Sequence, residues 1–128
     1  MTSTPDPWML KELTEVPGVR FCLVATSDGI VATHRGEIDR DTAEPVGAAC
    51  SGFLAIAGAL RGQEIFVGTL QQVFIKWGDG YLFVRQAGDR TLLAVVTTAD
   101  IDPGLIASAM AERIQRIGKP ILSTPART

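Results

Sequence analysis

Side chains able to do chemistry are scarce in this chain. There is one histidine, His34, near the end of a predicted strand. No cysteine or carboxylate stands at metal-ligand spacing from it, so a place on a surface or sheet edge is expected. Cys22 and Cys50 lie in separate apolar stretches with no CxxC spacing. They are expected as buried free thiols in a reducing compartment. Ser27-Asp28-Gly29 and Gly78-Asp79-Gly80 each set an aspartate beside glycine, which is turn chemistry before it is a carboxylate pair. Trp77 and Tyr81 flank the second of these turns, where capping a sheet is the expected role. Arg35, Arg40 and Arg61, with Glu44, bracket a long apolar stretch and suit the polar rim of a protein interface. No phosphate-binding Gly-Lys-Ser/Thr loop, no strand-linked GxGxxG and no HExxH is present. With no nucleophile–base pair and no ligand cluster, no enzyme activity, metal or cofactor is expected.

The element that must position anything else is Glu44 to Arg61, EPVGAACSGFLAIAGALR, uncharged between its ends. It is too long for a strand, and its apolar residues recur at helical spacing. Val46, Cys50, Phe53, Leu54, Ala57 and Leu60 make a stripe expected to face a core. Beside it runs a file of small residues at i+4 spacing: Gly47, Ser51, Ala55 and Ala59. Small residues let a second backbone approach, so this file is expected to seat another helix, from the same chain or from a copy. Membrane insertion is not expected. The uncharged run falls short of the roughly 20 residues a span needs, holds glycines and Pro45, and lacks aromatic or basic flanks.

The chain's 128 residues suit one domain, and 46% hydrophobic residues suffice for one core. A net charge of −2 favours neither nucleic acid nor an anionic membrane. Residues 1–8 lack the basic and apolar regions of a signal peptide, so a cytoplasmic location is expected. Residues 1–6 read as a disordered tail, 7–120 as the domain and 121–128 as a second tail. Asp6 and Pro7 suit a helix start, with Trp8, Leu10, Leu13 and Val16 on one face. Strands are expected over Val19 to Thr26 and Ile30 to His34, joined by the Ser27-Asp28-Gly29 turn. Asp39 or Asp41 caps the central helix. Ile65 to Val67 reads as a short extended piece, and Thr69 to Trp77 as a strand with Val73, Ile75 and Trp77 on one face. Tyr81 to Ala87 and Thr91 to Thr98 follow. The last strand is nearly continuous in Leu, Ala and Val, which predicts a central place with both faces covered. Asp100 or Asp102 starts a final helix that Gly118 and Pro120 end. Short turns make the neighbouring strands antiparallel. The expected fold is therefore α+β, three helices layered on one antiparallel sheet.

The order and spacing of PWMLKEL, VPGVRFCLVATSDGIVATH and WGDGYLFVRQAGDRTLLAVVTTADIDPGLIASAM resemble the bacterial Roadblock/LC7 domains. The VPGV approach to the first strand, the SDG turn and the GDGYLFV hairpin carry the resemblance, which covers roughly Pro7 to Pro120. It is nearest to the actinobacterial type that accompanies a small Ras-like GTPase in conservon operons. The resemblance implies a five-stranded sheet with the central helix on one face and the other two helices on the opposite face, a profilin-like layering. It implies a homodimer in which the central helices pack together and the third strands meet edge to edge, with Val73 and Ile75 at that edge. It further implies a scaffold or stimulator of a small Ras-like GTPase in signal transduction, alongside other proteins of a sensor-kinase system, with membrane association only through partners. The family brings no catalytic motif to transfer. A small-molecule sensor domain is the competing expectation, and the small side chains of the central helix count against an open pocket.

Overall fold

The computed structural model describes residues 7–63, 65–88 and 90–123, and the side-chain surroundings of 10–61, 65–88 and 90–115. The expected tail at 1–6, the cap at Asp6, the side chain of Trp8 and residues 124–128 lie outside these. In chain order the elements are α1 Pro7–Thr14, β1 Val19–Thr26, β2 Val31–Gly36, α2 Arg40–Gly58, a 3₁₀ segment Ala59–Gln63, β3 Val73–Trp77, β4 Gly80–Gln86, β5 Thr91–Thr98 and α3 Pro103–Ser123. The five strands form one sheet in the order β2-β1-β5-β4-β3, and every pairing is antiparallel.

β5 holds the centre, as its unbroken apolar run requires. Along β1, β4 and β5 successive side chains enter opposite cores, because strand side chains alternate between faces. Cys22, Val24, Phe83, Leu93 and Val95 join Leu10 and Leu13 of α1 and Ile106 and Met110 of α3 on one face. Leu23, Ala25, Leu82, Val84, Leu92 and Ala94 join Ala43 and Cys50 of α2 on the other. Each fully buried Leu, Phe or Met stabilises the fold by about 1.5–3 kcal/mol over its exposed state. On the first face Arg113 Nη2 of α3 reaches Glu12 Oε1 of α1 at 3.1 Å, with Arg113 only 16% exposed. The bridge links α1 to α3 at the margin of this core, with Glu12 36% exposed.

Several boundaries differ from the expectations. α2 starts at Arg40, one turn before Glu44, because Asp39 caps it: Thr42 N donates to Asp39 Oδ1 at 2.8 Å. Pro45 therefore lies in the second turn, on the exposed side. Residues 65–72 are irregular, so the third strand begins at Val73 and not at Thr69. Its pairing with β4 runs only from Val73↔Val84 to Trp77↔Gly80, which sets its length. α3 passes Gly118 and Pro120 and reaches Ser123, since proline keeps a helical φ and removes only one hydrogen bond near a helix end. Of the two candidate caps, Asp102 Oδ1 accepts from Gly104 N at 3.0 Å, and Thr98 Oγ1 donates to Asp100 at 2.7 Å.

Candidate protein-interaction surface

α2 crosses the sheet with one flank turned to its own hairpin. At Gly47, an added Cβ would stand 2.8 Å from Val31 Cγ2 and 3.2 Å from the Gly29 carbonyl oxygen. Gly29, at φ 91°, closes the same contact from the turn, 2.9 Å from Ala48 Cα by the same construction. One turn on, Ser51 Oγ donates to the carbonyl of Ser27. Gly47 and Ser51 thus seat α2 on the β1–β2 turn of the same chain and do not face a second helix.

The rest of the small-residue file behaves differently. Ala55 and Ala59 are exposed, as are Ala48, Ala49 and Ile56. An i+4 step advances about 40° past a full turn, so a file of four residues drifts from the core side to the solvent side. Gly52 has no atom within 4 Å of an added Cβ, apart from its own helix. The outward face of α2 is therefore shallow and apolar, and Ile56 stands on it 73% exposed. The helical run Arg40–Arg61 is long and apolar enough to cross a membrane by length and composition. Its inner face, with Ala43, Gly47 and Cys50 buried, is part of the domain core.

β3 is an edge strand. Val73 and Ile75 are half-buried against the α2-side core. Trp77, on that same face, is 60% exposed. On the other face Phe74 stacks on Tyr81 with ring centroids 5.2 Å apart, and Lys76 Nζ lies 5.1 Å over the Tyr81 ring. The segment before β3 carries Ile65, Phe66 and Val67, all exposed, and Leu60 is exposed beside them. Placing Leu60 in the core stripe was an expectation the structure does not meet: the chain leaves the α-helix at Ala59 and turns as a 3₁₀ segment. The IFV run is the surface feature that strand periodicity hid, since three apolar residues in a row fit a buried strand as well as an exposed loop.

Two open grooves flank this region. One, of about 440 Å³, lies between α2 and the segment before β3, lined by Leu54, Ala57, Leu60, Val67 and Leu70. The other, of about 330 Å³, lies on the opposite flank of α2, where Val46, Ala49 and Phe53 face Leu82, Val96 and Trp77.

The charged residues do not gather. Arg40 Nε lies 3.3 Å from Glu44 Oε2, and its Nη2 donates to the carbonyl of Val31 at 3.3 Å. Arg35 is exposed on the edge strand β2, but its register partner is Cys22 of the α1–α3 core, so it lies on the face opposite α2 and outside the rim expected around that helix. Arg61 belongs to the 3₁₀ segment beyond the opposite end, roughly 28 Å away by the helical rise. The rim therefore has two separate poles. Cys22 and Cys50 are free and lie in the cores on opposite faces of the sheet. Burial pushes the Cys22 thiol up to about 12, with Arg35 opposing weakly, and pushes the Cys50 thiol up to about 11. Both are protonated and inert at neutral pH. Among the described residues no group of three or more His, Cys, Asp or Glu could hold a metal ion.

The open apolar edge strand with an exposed apolar helix face beside it is the candidate interaction surface, here on an α+β domain of profilin-like layering. The chain belongs to the Roadblock/LC7 domain family, whose profile matches residues 8–97. Among curated proteins nothing matches. Of solved structures, a Roadblock/LC7 domain from Streptomyces avermitilis is similar at 26% identity and a TM-score of 0.85, over 94% of this chain and 99% of that one. Myxococcus xanthus MglB shares the fold at 16% identity and a TM-score of 0.80, over 91% and 94% of the two chains. Acanthamoeba castellanii profilin IB shares it at 14% identity and a TM-score of 0.63, over 87% and 94%.

Proposed function

We propose that this chain is a cytoplasmic, homodimeric regulator or scaffold that binds a small Ras-like GTPase in bacterial signal transduction and has no catalytic residues of its own. The observation that carries the reading is the open β3 edge running on into the exposed apolar face of α2. An unpaired edge bearing Phe74 and Trp77, with Lys76 as its one charge, is an aggregation hazard unless something pairs it. A two-fold axis normal to the sheet at this edge joins two sheets into one and brings both α2 helices to the same side. Ala55, Ala59, Ile56, Val73 and Ile75 then lie at or beside the seam. The family membership, with the resemblance described above, supports a GTPase as the further partner. Arg40 and Glu44 would flank its docking surface at one pole and Arg61 at the other, while Arg35 stands on the opposite face of the sheet.

A surface of this kind reads a GTPase's nucleotide state through its different affinities for the two conformations of the switch loops. The test has two parts. Light scattering at micromolar concentration should give a dimer, and a monomer removes the basis of the reading. The small Ras-like GTPases of the same genome should then be titrated, each loaded with GDP or with a non-hydrolysable GTP analogue. Binding of one form in preference marks a reader of nucleotide state, and equal binding marks a scaffold. No binding of either form at tens of micromolar refutes the GTPase assignment. The competing sensor reading has less support, because both grooves beside α2 are open to solvent and adjoin the proposed seam.

A further inference from the structure

We infer that the dimer is locked by exchange of an apolar knob: Phe66 and Val67 of each protomer fill the groove beneath α2 of the other. The inference rests on the dimer reading above and adds to it which surfaces meet outside the paired strands.

Three observations carry it. The first is direction. β3 runs antiparallel to its own neighbour β4, with Val73 opposite Val84 and Trp77 opposite Gly80. A two-fold axis normal to the sheet at Ile75 pairs β3 antiparallel with its copy, so the Val73 end of one strand lies beside the Trp77 end of the other. The segment that leads into Val73 is therefore delivered next to the partner's Trp77. The second is the face. Trp77 projects to the same side of β3 as Val73 and Ile75, which pack in the α2-side core. The segment before Val73 shares a groove with Leu54 and Ala57 of α2 and so lies on that same side, and an axis normal to the sheet keeps the two α2 sides together.

The third is complementarity. Val67 is fully exposed and Phe66 is 62% exposed, so within its own protomer the knob has little apolar cover. The groove beside Trp77 is apolar on its helix wall, with Val46, Ala49 and Phe53, and on its sheet floor, with Leu82 and Val96. Its volume of about 330 Å³ accommodates apolar side chains of this size. Gly68, at φ 95° and with no atom within 4 Å of an added Cβ, lets the chain turn back directly behind the knob. Exchange through both grooves is reciprocal, as a two-fold interface demands. It would also cover Trp77, the large side chain that simple strand pairing leaves most open on this face.

Cross-linking between protomers tests this with the native thiols silent, since Cys22 and Cys50 are buried. Asp79 lines the outer end of the groove and is exposed. Val67→Cys and Asp79→Cys, both at exposed positions, are made in separate chains. The two are co-expressed and treated with a short bifunctional maleimide. The inference expects a covalent dimer from the mixture and none from either variant alone, with light scattering reporting a dimer in all three samples. A dimer by scattering that gives no cross-link in the mixture overturns the knob exchange while leaving the dimer intact. A monomer by scattering overturns both. As a second measurement, Val67→Asp should raise the dimer dissociation constant at least tenfold and shift Trp77 emission to longer wavelength in a Trp8→Phe background. An unchanged dissociation constant contradicts the exchange.

Discussion

Gly47 and Gly52 offer a matched pair of alanine substitutions inside one helix. Replacing glycine by alanine in a helix interior gains about 1 kcal/mol from backbone entropy. That gain is common to both sites, since both lie well within α2. At Gly52 nothing opposes it, because an added methyl meets no atom within 4 Å outside its own helix. Gly52→Ala should therefore stabilise the fold by about 1 kcal/mol. At Gly47 the methyl would press on Val31 Cγ2 at 2.8 Å and on the Gly29 carbonyl oxygen at 3.2 Å. Val31 is branched and buried, and the second neighbour is backbone, so neither yields cheaply. Overpacking of this sort costs about 1–3 kcal/mol. Gly47→Ala should then be neutral to about 2 kcal/mol destabilising, by the difference of the two effects. The gap between the variants is the overpacking cost alone, since the propensity gain cancels. Urea unfolding with slopes of about 1–3 kcal/mol per molar should separate their midpoints by roughly 1 M. Protein concentration must be held fixed, because the stability of the proposed dimer would depend on it. Equal midpoints would refute the assignment of Gly47 to the hairpin contact. A loss of stability in Gly52→Ala that vanishes on dilution would show a partner helix lying against Gly52.

Three further outcomes follow from the same geometry. Both thiols have folded pKa values, about 12 and about 11, above the ordinary value of 9.0. Between these values the folded state holds more protons than the unfolded one, so the thiols' contribution is complete below pH 9 and is lost as pH rises through 11 to 12, by up to about 1.4 kcal/mol per thiol per pH unit. Unfolding midpoints of Cys22→Ser and wild type across pH 8–10.5 check the sign, which fails if the wild type gains stability over that range. Ala55→Arg should place a charge beside the seam and weaken the dimer by several kcal/mol if it is desolvated there, on the order of an unpaired buried charge; sedimentation or light scattering over a dilution series reads it. On the proposed function, Arg40→Glu should slow association with the proposed GTPase partner, more at low salt than at high, and leave the proposed dimer unchanged, because charges at an interface rim act chiefly on encounter. Stopped-flow association at two ionic strengths decides that point.

Much of the architecture was legible in the chain. The apolar run Leu92 to Val96 within Thr91–Thr98 required cover on both faces and so placed β5 at the centre. The SDG and GDG turns required antiparallel neighbours. Asp39 was readable as a cap because an aspartate before a helical run satisfies free backbone N–H groups. These are local matters of period, turn geometry and capping, which a few neighbouring residues decide. The rotational phase of α2 was not legible. Gly47, Ser51, Ala55 and Ala59 look equivalent in sequence, yet the first two meet the β1–β2 turn and the last two meet solvent. That division depends on where Gly29 and Val31 arrive in space, and those residues come from another element. The exposure of Leu60 and of Ile65 to Val67 was hidden for the same reason: an apolar side chain favours burial, but whether its own protomer has room for it is a property of the packed whole. Composition alone marks these residues as apolar. Only the finished sheet, which ends at β3 with no further strand among the described residues, leaves them exposed.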